Sequence, residues 1–213
     1  MVFNKIKHTY NHNGEKYESV SHFINRYKKE FDSRLIAGRV AMSRNCGVDE
    51  VLEEWDFLKE ISIDFGNAID KTIDLFIKYG KKPKQTFLKK VVDEFEQLTK
   101  GMKLTSQVIF FSEINKLAGT TDVIISHGNK EISIWDIKSN GDIYKEPKQY
   151  FLEPLDSIPE TKINTYRFQQ TAYKRMAEEM GYKVREIALL HYTDKFNKIE
   201  LKELSIDKIW KTN

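Results

Sequence analysis

The chain has 213 residues, 40% apolar and 31% charged, which is enough for one good-sized core, and its longest apolar runs, VIFF and IALL, are far too short to cross a bilayer. A single cysteine, Cys46, excludes an internal disulfide, a zinc ribbon and a four-cysteine iron–sulfur cluster. The net charge of +3 is uneven: residues 1–48 hold nine Lys/Arg, including Lys5 and Lys7, against four Asp/Glu, so this segment is +5 and the remainder −2. That asymmetry suits a basic N-terminal region facing a polyanion and an acidic centre holding cations, although a solvated surface is the commoner origin of a charge run. The opening MVFNKIKHTYNHNGEKY has no signal-peptide core, so the expected location is the cytoplasm.

In chain order, the first half reads as helix. YESVSHFINRYKKEF offers Ser19 or Ser21 as N-cap, with Phe23, Ile24, Tyr27 and Phe31 on one apolar face. Asp49 introduces a second helix, EVLEEWDFLKEI, with Val51, Leu52, Trp55 and Leu58 on its stripe. FGNAIDKTIDLFIKYG is a third, ending at Gly80, and QTFLKKVVDEFEQLTKG a fourth, stopped by Gly101. From Leu104 the texture changes to short runs rich in β-branched and aromatic residues, QVIFFSEI, TTDVIIS and EISIWDIKS, which predict strands of one sheet. A helix follows in NTYRFQQTAYKRMAEEMG, capped by Asn164 or Thr165, then strands VREIALLHY and KIELKELSI and a short helix IDKIW. The expected fold class is α/β: one domain over residues 1–213, a mainly helical region to residue 103, then a mixed sheet flanked by helices. No repeat or long linker supports a second domain.

Two aspartates and a lysine interrupt the buried-strand texture of GTTDVIISHGNKEISIWDIKS. Along ISIWDIK, Asp136 and Lys138 share the face of Ile132 and Ile134, opposite Trp135 and Ile137. For Asp122 to stand beside Asp136 across the hairpin, paired residue numbers must add to 258. A three-residue loop, Gly128 to Lys130, meets that demand; a two-residue loop at Gly128–Asn129 would need a bulge to rescue it. If it is met, two carboxylates and an ammonium converge where unpaired charge is expensive. A hard divalent ion, Mg²⁺ or Mn²⁺, would relieve the repulsion, bound by Asp122, Asp136 and the backbone carbonyl of Ile137. The chemistry this suggests is metal-assisted phosphodiester hydrolysis, with Lys138 orienting water or neutralising charge developing on phosphate. A plain Asp–Lys salt bridge at a strand end is the simpler alternative, and acid-x-Lys spacing also occurs at Glu146–Lys148, Glu160–Lys162 and Glu200–Lys202.

GTTD, then DIK fourteen residues on, then QQTAY within the following helix together resemble the PD-(D/E)XK nuclease superfamily, in particular its RecB-like branch with a Gln-x-x-x-Tyr helix. YESVSHFINRYKKEFD, EVLEEW and FGNAIDKTID add a similarity to the helical part of single-domain, exonuclease-like proteins of phages and large DNA viruses. The resemblance implies a restriction-endonuclease-like fold, Asp122 and Asp136 as metal ligands, Lys138 as catalytic lysine, and Gln169 and Tyr173 as the Gln-x-x-x-Tyr pair. It also makes Asp70, where relatives often carry histidine, and Glu113 candidate metal-site residues. Asp70 could equally face solvent, Glu113 could equally pair with a lysine, and Tyr173 could equally be core. DNA is the implied substrate, linear duplex or single strand, with Arg26, Lys28, Lys29, Arg34, Arg39 and Arg44 as phosphate contacts. A second copy of the chain, or a replication or recombination protein, is the implied protein partner. Three functions follow from it: a metal-dependent exonuclease, a structure-specific or restriction-like endonuclease, or an inactive nuclease-like binding module. Residues 143–162, with three prolines, are expected to form a substrate-shaping loop or a disordered insertion.

Overall fold

The computed structural model of the chain describes residues 1–4 and 9–212. It is an α/β protein in which helices cover a mixed sheet. The hairpin that carries Asp122 and Asp136 lies at its centre: β4 (Lys103–Ser112), β5 (Leu117–Gly128) and β6 (Glu131–Lys138) are antiparallel neighbours. β7 (Lys183–Tyr192) lies parallel to β6, and β8 (Phe196–Glu200) closes that edge antiparallel. The parallel step is made by the crossover helix α5 (Lys162–Glu179), as a βαβ connection requires. Its N-cap is Thr161, whose hydroxyl accepts from the Asn164 N–H (3.2 Å), rather than Asn164 or Thr165.

The N-terminus departs from the helical expectation. β1 (Val2–Asn4), β2 (Thr9–His12) and β3 (Glu15–Ser19) form an antiparallel ribbon, and β3 then pairs parallel with β5 through Glu18 and Ser19. Helix α1 (Val20–Asn25), capped by Ser19, is therefore much shorter than the apolar spacing to Phe31 predicts, and Phe31 is exposed. An unexpected helix, α2 (Ser33–Arg44), starts at the Asp32 cap, whose carboxylate accepts from the Leu35 N–H (2.9 Å). The second and third expected helices are one continuous 32-residue α3 (Val48–Tyr79), which does end at Gly80 in a left-handed conformation (φ 65°). α4 (Thr86–Leu98) is as expected. IDKIW forms a turn rather than a helix.

Two cores flank the sheet. On one face α1 and α5 bury Phe23, Phe168, Ala172 and Met176 against Ile124, Ile132, Ile134 and Leu189. On the other, Ile69 and Ile73 of α3 and Val91, Val92 and Phe95 of α4 cover Val123, Ile125, Trp135 and Leu190. Residues 143–162 are neither a disordered insertion nor a wall of the site. Ile143, Phe151 and Leu155 are buried in the first core, and the Leu152 N–H donates to the Tyr27 carbonyl (2.7 Å). No helix among the described residues is long and apolar enough to cross a membrane.

The register at the hairpin meets the geometric demand by the second of the two routes. Val123 pairs with Trp135, so residue numbers add to 258, but the loop is the two-residue turn Asn129–Lys130, and a bulge between Ser126 and Gly128 corrects the parity. Both turn residues have positive φ (48° and 59°), as a type I′ turn needs.

Candidate active site

β4 occupies one edge of β5 from Leu117 to Ser126. β3 and β6 must therefore share the other edge, β3 at Leu117–Ala118 and β6 from Val123 onward. Between them Gly119 to Asp122 have no strand on that side, and a cleft of about 900 Å³ opens there. Asp122, Asp136 and Lys138 all line it, with Gln169 and Tyr173 of α5 and Asp70 of α3.

The strand-end geometry fixes the two carboxylates. The Ile137 N–H, which has lost its β5 partner, donates to Asp122 Oδ2 at 2.8 Å. In an extended strand the N–H and C=O of a residue face the same edge, so the Ile137 carbonyl is also directed toward the gap. Asp136 is 2% exposed. Its Oδ2 is ion-paired with Lys138 Nζ, a charge-assisted contact that holds the buried carboxylate in place. Burial, followed by the charge of Asp136, pushes the Asp122 carboxyl well above the ordinary carboxylate range, against the pull of Lys138 and the Ile137 N–H. Burial also raises Asp70, to about 7, with Asp136 adding to the rise and Lys138 opposing it. For Lys138, burial alone would lower the ammonium, but Asp136 and Asp122 outweigh it and hold it above the usual lysine range. Lys138 is thus a fixed cation, packed over the Tyr166 ring (5.4 Å), whose hydroxyl accepts from Asn140 Nδ2 (2.6 Å).

Tyr173 and Gln169, one turn apart, are joined by Gln169 Nε2 donating to the Tyr173 hydroxyl (3.0 Å). Tyr173 is buried and seated directly on Gly119: a Cβ there would come within 2.3 Å of its ring. Here the core and site readings of Tyr173 hold together, since the ring packs on β5 while the residue lines the cleft. Asp70 arrives because α3 crosses the end of β6 at Gly66, where a Cβ would lie 3.2 Å from Ser139 Oγ.

Other sequence candidates lie elsewhere. Glu113 is exposed in the β4–β5 turn and does not line the cleft. None of the six basic candidates lines it either. Arg26 is paired with Glu18, Arg34 with Asp49 (3.2 Å) and Arg44 with Glu54 (2.7 Å), and burial lowers the Lys28 ammonium. Lys29 and Arg39 are exposed. Lys5 and Lys7 fall outside the described residues.

Sequence reasoning missed the α3 wall. Asn67, Lys71, Asp74 and Lys78 line the cleft beside Asp70, at the three- and four-residue spacing that puts them on one helix face. That spacing was the available signal. It also missed Gln107, which stands across β4 from Asp122 with a left-handed φ of 54° and lines the cleft. The twist there reverses the strand's alternation: Ser106 bonds Asp74 of α3, whereas Val108, two residues on, packs in the core under α5.

The ligand set this chain presents for a hard cation is small. Among the described residues no three His, Cys, Asp or Glu side chains are grouped to hold a metal. Asp122, whose carboxyl resists ionisation, the buried Asp136 carboxylate and a free-edge carbonyl do fit Mg²⁺ or Mn²⁺, since Mg²⁺ is commonly held by one or two carboxylates with water and substrate phosphate completing its shell.

No family model matches the chain, nor does any curated protein. Among solved structures it is similar to the protein SSO0001, at 16% identity and a TM-score of 0.35 over 63% of each chain. It is also similar to a "putative exonuclease" from Eubacterium rectale, at 14% identity and a TM-score of 0.35, over 86% of this chain and 64% of that one. The chain therefore spans just under two thirds of the length of either protein, and at this degree of likeness neither name transfers to it.

Proposed function

We propose that this chain is a divalent-metal-dependent deoxyribonuclease that hydrolyses phosphodiester bonds, acting from DNA ends as an exonuclease. The observation that carries the reading is the convergence of Asp122, Asp136 and Lys138 on one cleft at the point where β3 and β6 part from β5. Asp122, Asp136 and the Ile137 carbonyl would hold Mg²⁺ or Mn²⁺, which when bound supplies Lewis acidity to a phosphate oxygen and to water. Asp70, which lines the same cleft, would add a further oxygen through water. Lys138, kept protonated by its two aspartates, serves as a fixed positive charge against the extra negative charge of the pentacovalent phosphorus rather than as a base. Water adds to phosphorus, the P–O ester bond breaks, and the leaving oxygen collects a proton. The Gln169 amide oxygen, with its Nε2 committed to Tyr173, is held at the cleft to orient water or a sugar hydroxyl.

End-labelled linear DNA and closed circular DNA, each with Mg²⁺, with Mn²⁺ and with chelator, test this. Metal-dependent loss of the linear form alone is the expected result. Cutting of the circle would replace the exonuclease by an endonuclease, and binding without cutting would leave a nuclease-shaped DNA-binding module. Asp136→Ala and Lys138→Ala should each lower the rate at least about a hundredfold while melting as cooperatively as wild type, and Gln169→Ala should cost less.

A further inference from the structure

The α3 wall carries a feature that the hydrolysis itself does not use. Asp74 is buried, and its carboxylate accepts from Ser106 Oγ (2.8 Å) while pairing with both Lys78 (2.6 Å) and Lys71 (3.2 Å). Burial would raise the Asp74 carboxyl, but the bonds from Lys78, Ser106 and Lys71 together hold it below the ordinary range, so it is an anion. One lysine would neutralise it. Two leave the group with a net charge of +1, and both lysine side chains remain substantially open, 59% for Lys71 and 41% for Lys78. All three residues line the same cleft as the carboxylates, on the α3 face that begins at Asp70.

Resting on the nuclease reading above, we infer that Lys71 and Lys78, held in place by the buried Asp74, grip a backbone phosphate of the nucleic-acid strand away from the bond being cut. A surplus cation opposite an acidic centre is suited to a phosphodiester: the metal site takes the reacting phosphate and the lysines take another. From Asp70 to Lys78 is eight residues, about 12 Å along the helix. That distance exceeds the axial rise of about 3.4 Å between successive phosphates of one strand of duplex DNA, so the lysines meet a phosphate at least one step removed from the scissile one. The strand therefore runs along α3, and the lysines are positioning residues that set how much DNA beyond the scissile bond improves binding.

The test is equilibrium binding of a fluorescent oligonucleotide in chelator, titrated with salt, for wild type, Lys71→Gln, Lys78→Gln and the double variant, with Lys82→Gln as a control outside the cleft. Each cleft variant should weaken binding about tenfold and reduce the slope of log K against log salt by about one, with Lys78→Arg retaining the slope. Lys82→Gln should leave it unaltered. Slopes unchanged in Lys71→Gln and Lys78→Gln would overturn the inference. Mg²⁺-dependent cleavage by the wild type, measured in parallel, separates the two readings. Unchanged slopes with intact cleavage remove the phosphate grip alone, altered slopes without cleavage remove the nuclease and keep the grip, and neither binding nor cleavage removes both.

Discussion

Gly119 is one of the few residues whose side-chain volume decides the site. A methyl group there would meet the Tyr173 ring at 2.3 Å, and Tyr173 is buried among α5 core residues with little room to retreat. Gly119→Ala should therefore cost about 1–3 kcal/mol of stability by overpacking. It should also reduce cleavage, because a displaced Tyr173 releases Gln169. Tyr173→Phe, which removes only the hydroxyl bond, should cost about 1 kcal/mol. Thermal melts and rates on both variants check this, and a Gly119→Ala protein as stable as wild type would mean that the ring is free to move. At this scale Asp122, Asp136 and Lys138 were visible in the sequence as charged residues set into apolar strands, whereas Gln169 and Tyr173 were visible through the resemblance of QQTAY to a Gln-x-x-x-Tyr helix. Asp74 and Lys78 were not visible in the same way: their partner Ser106 lies 32 residues from Asp74, and one more Lys–Asp pair at helical spacing looks like any solvated face.

Among the elements, the hairpin shows how a local device serves the site. β5 and β6 alternate faces with period two, so the side on which Asp122 falls depends on parity across the turn. The two-residue turn alone gives the wrong parity, and the bulge before Gly128 restores it. Lys130 stands in that turn with φ 59°, a conformation costing a non-glycine residue about 1 kcal/mol or more. Lys130→Gly should stabilise the protein by about 1 kcal/mol, raising Tm by about 2–4 °C, without altering cleavage. A fall in Tm would show that the lysine side chain contributes more than its backbone strain costs. α4, β4 to β7 and α5 were legible because strong periodicity and Gly stops agree there. α2 was not, since its buried face consists of the small residues Ala37 and Ala41, which give little periodic contrast. The split of α3 into two helices came from its middle, where Leu58, Ile61 and Ile63 are half-exposed and the apolar stripe loses its phase. The β1–β3 ribbon was read as tail and helix because β3 hands over to α1 at Ser19, a residue that serves both as strand end and as N-cap.

For the whole molecule, an acidic cleft makes stability depend on pH and metal together. Asp70 has an ordinary carboxyl pKa of 3.8, and burial raises it to about 7 in the folded, metal-free protein. The folded state thus holds a proton that the unfolded chain has released, and the stability this provides is complete below about 4 and is lost as pH rises through about 7. Asp70→Asn removes the titration. Held in chelator, the variant should match wild type in Tm near pH 4 and surpass it progressively up to pH 7–8, a divergence that separates Asp70 from carboxylates such as Asp74 whose shift has the opposite sign. Adding Mg²⁺ or Mn²⁺ at pH 8 should raise the wild-type Tm, since an ion bound at a hundred times its Kd contributes about 2.7 kcal/mol. It should raise that of Asp136→Ala far less. A parallel pH profile for Asp70→Asn and wild type would place Asp70 in contact with water rather than in the charged centre. A metal-independent Tm in the wild type would remove the cation from the site, and Asp70, Asp122 and Asp136 would then have to be held by protonation and Lys138 alone.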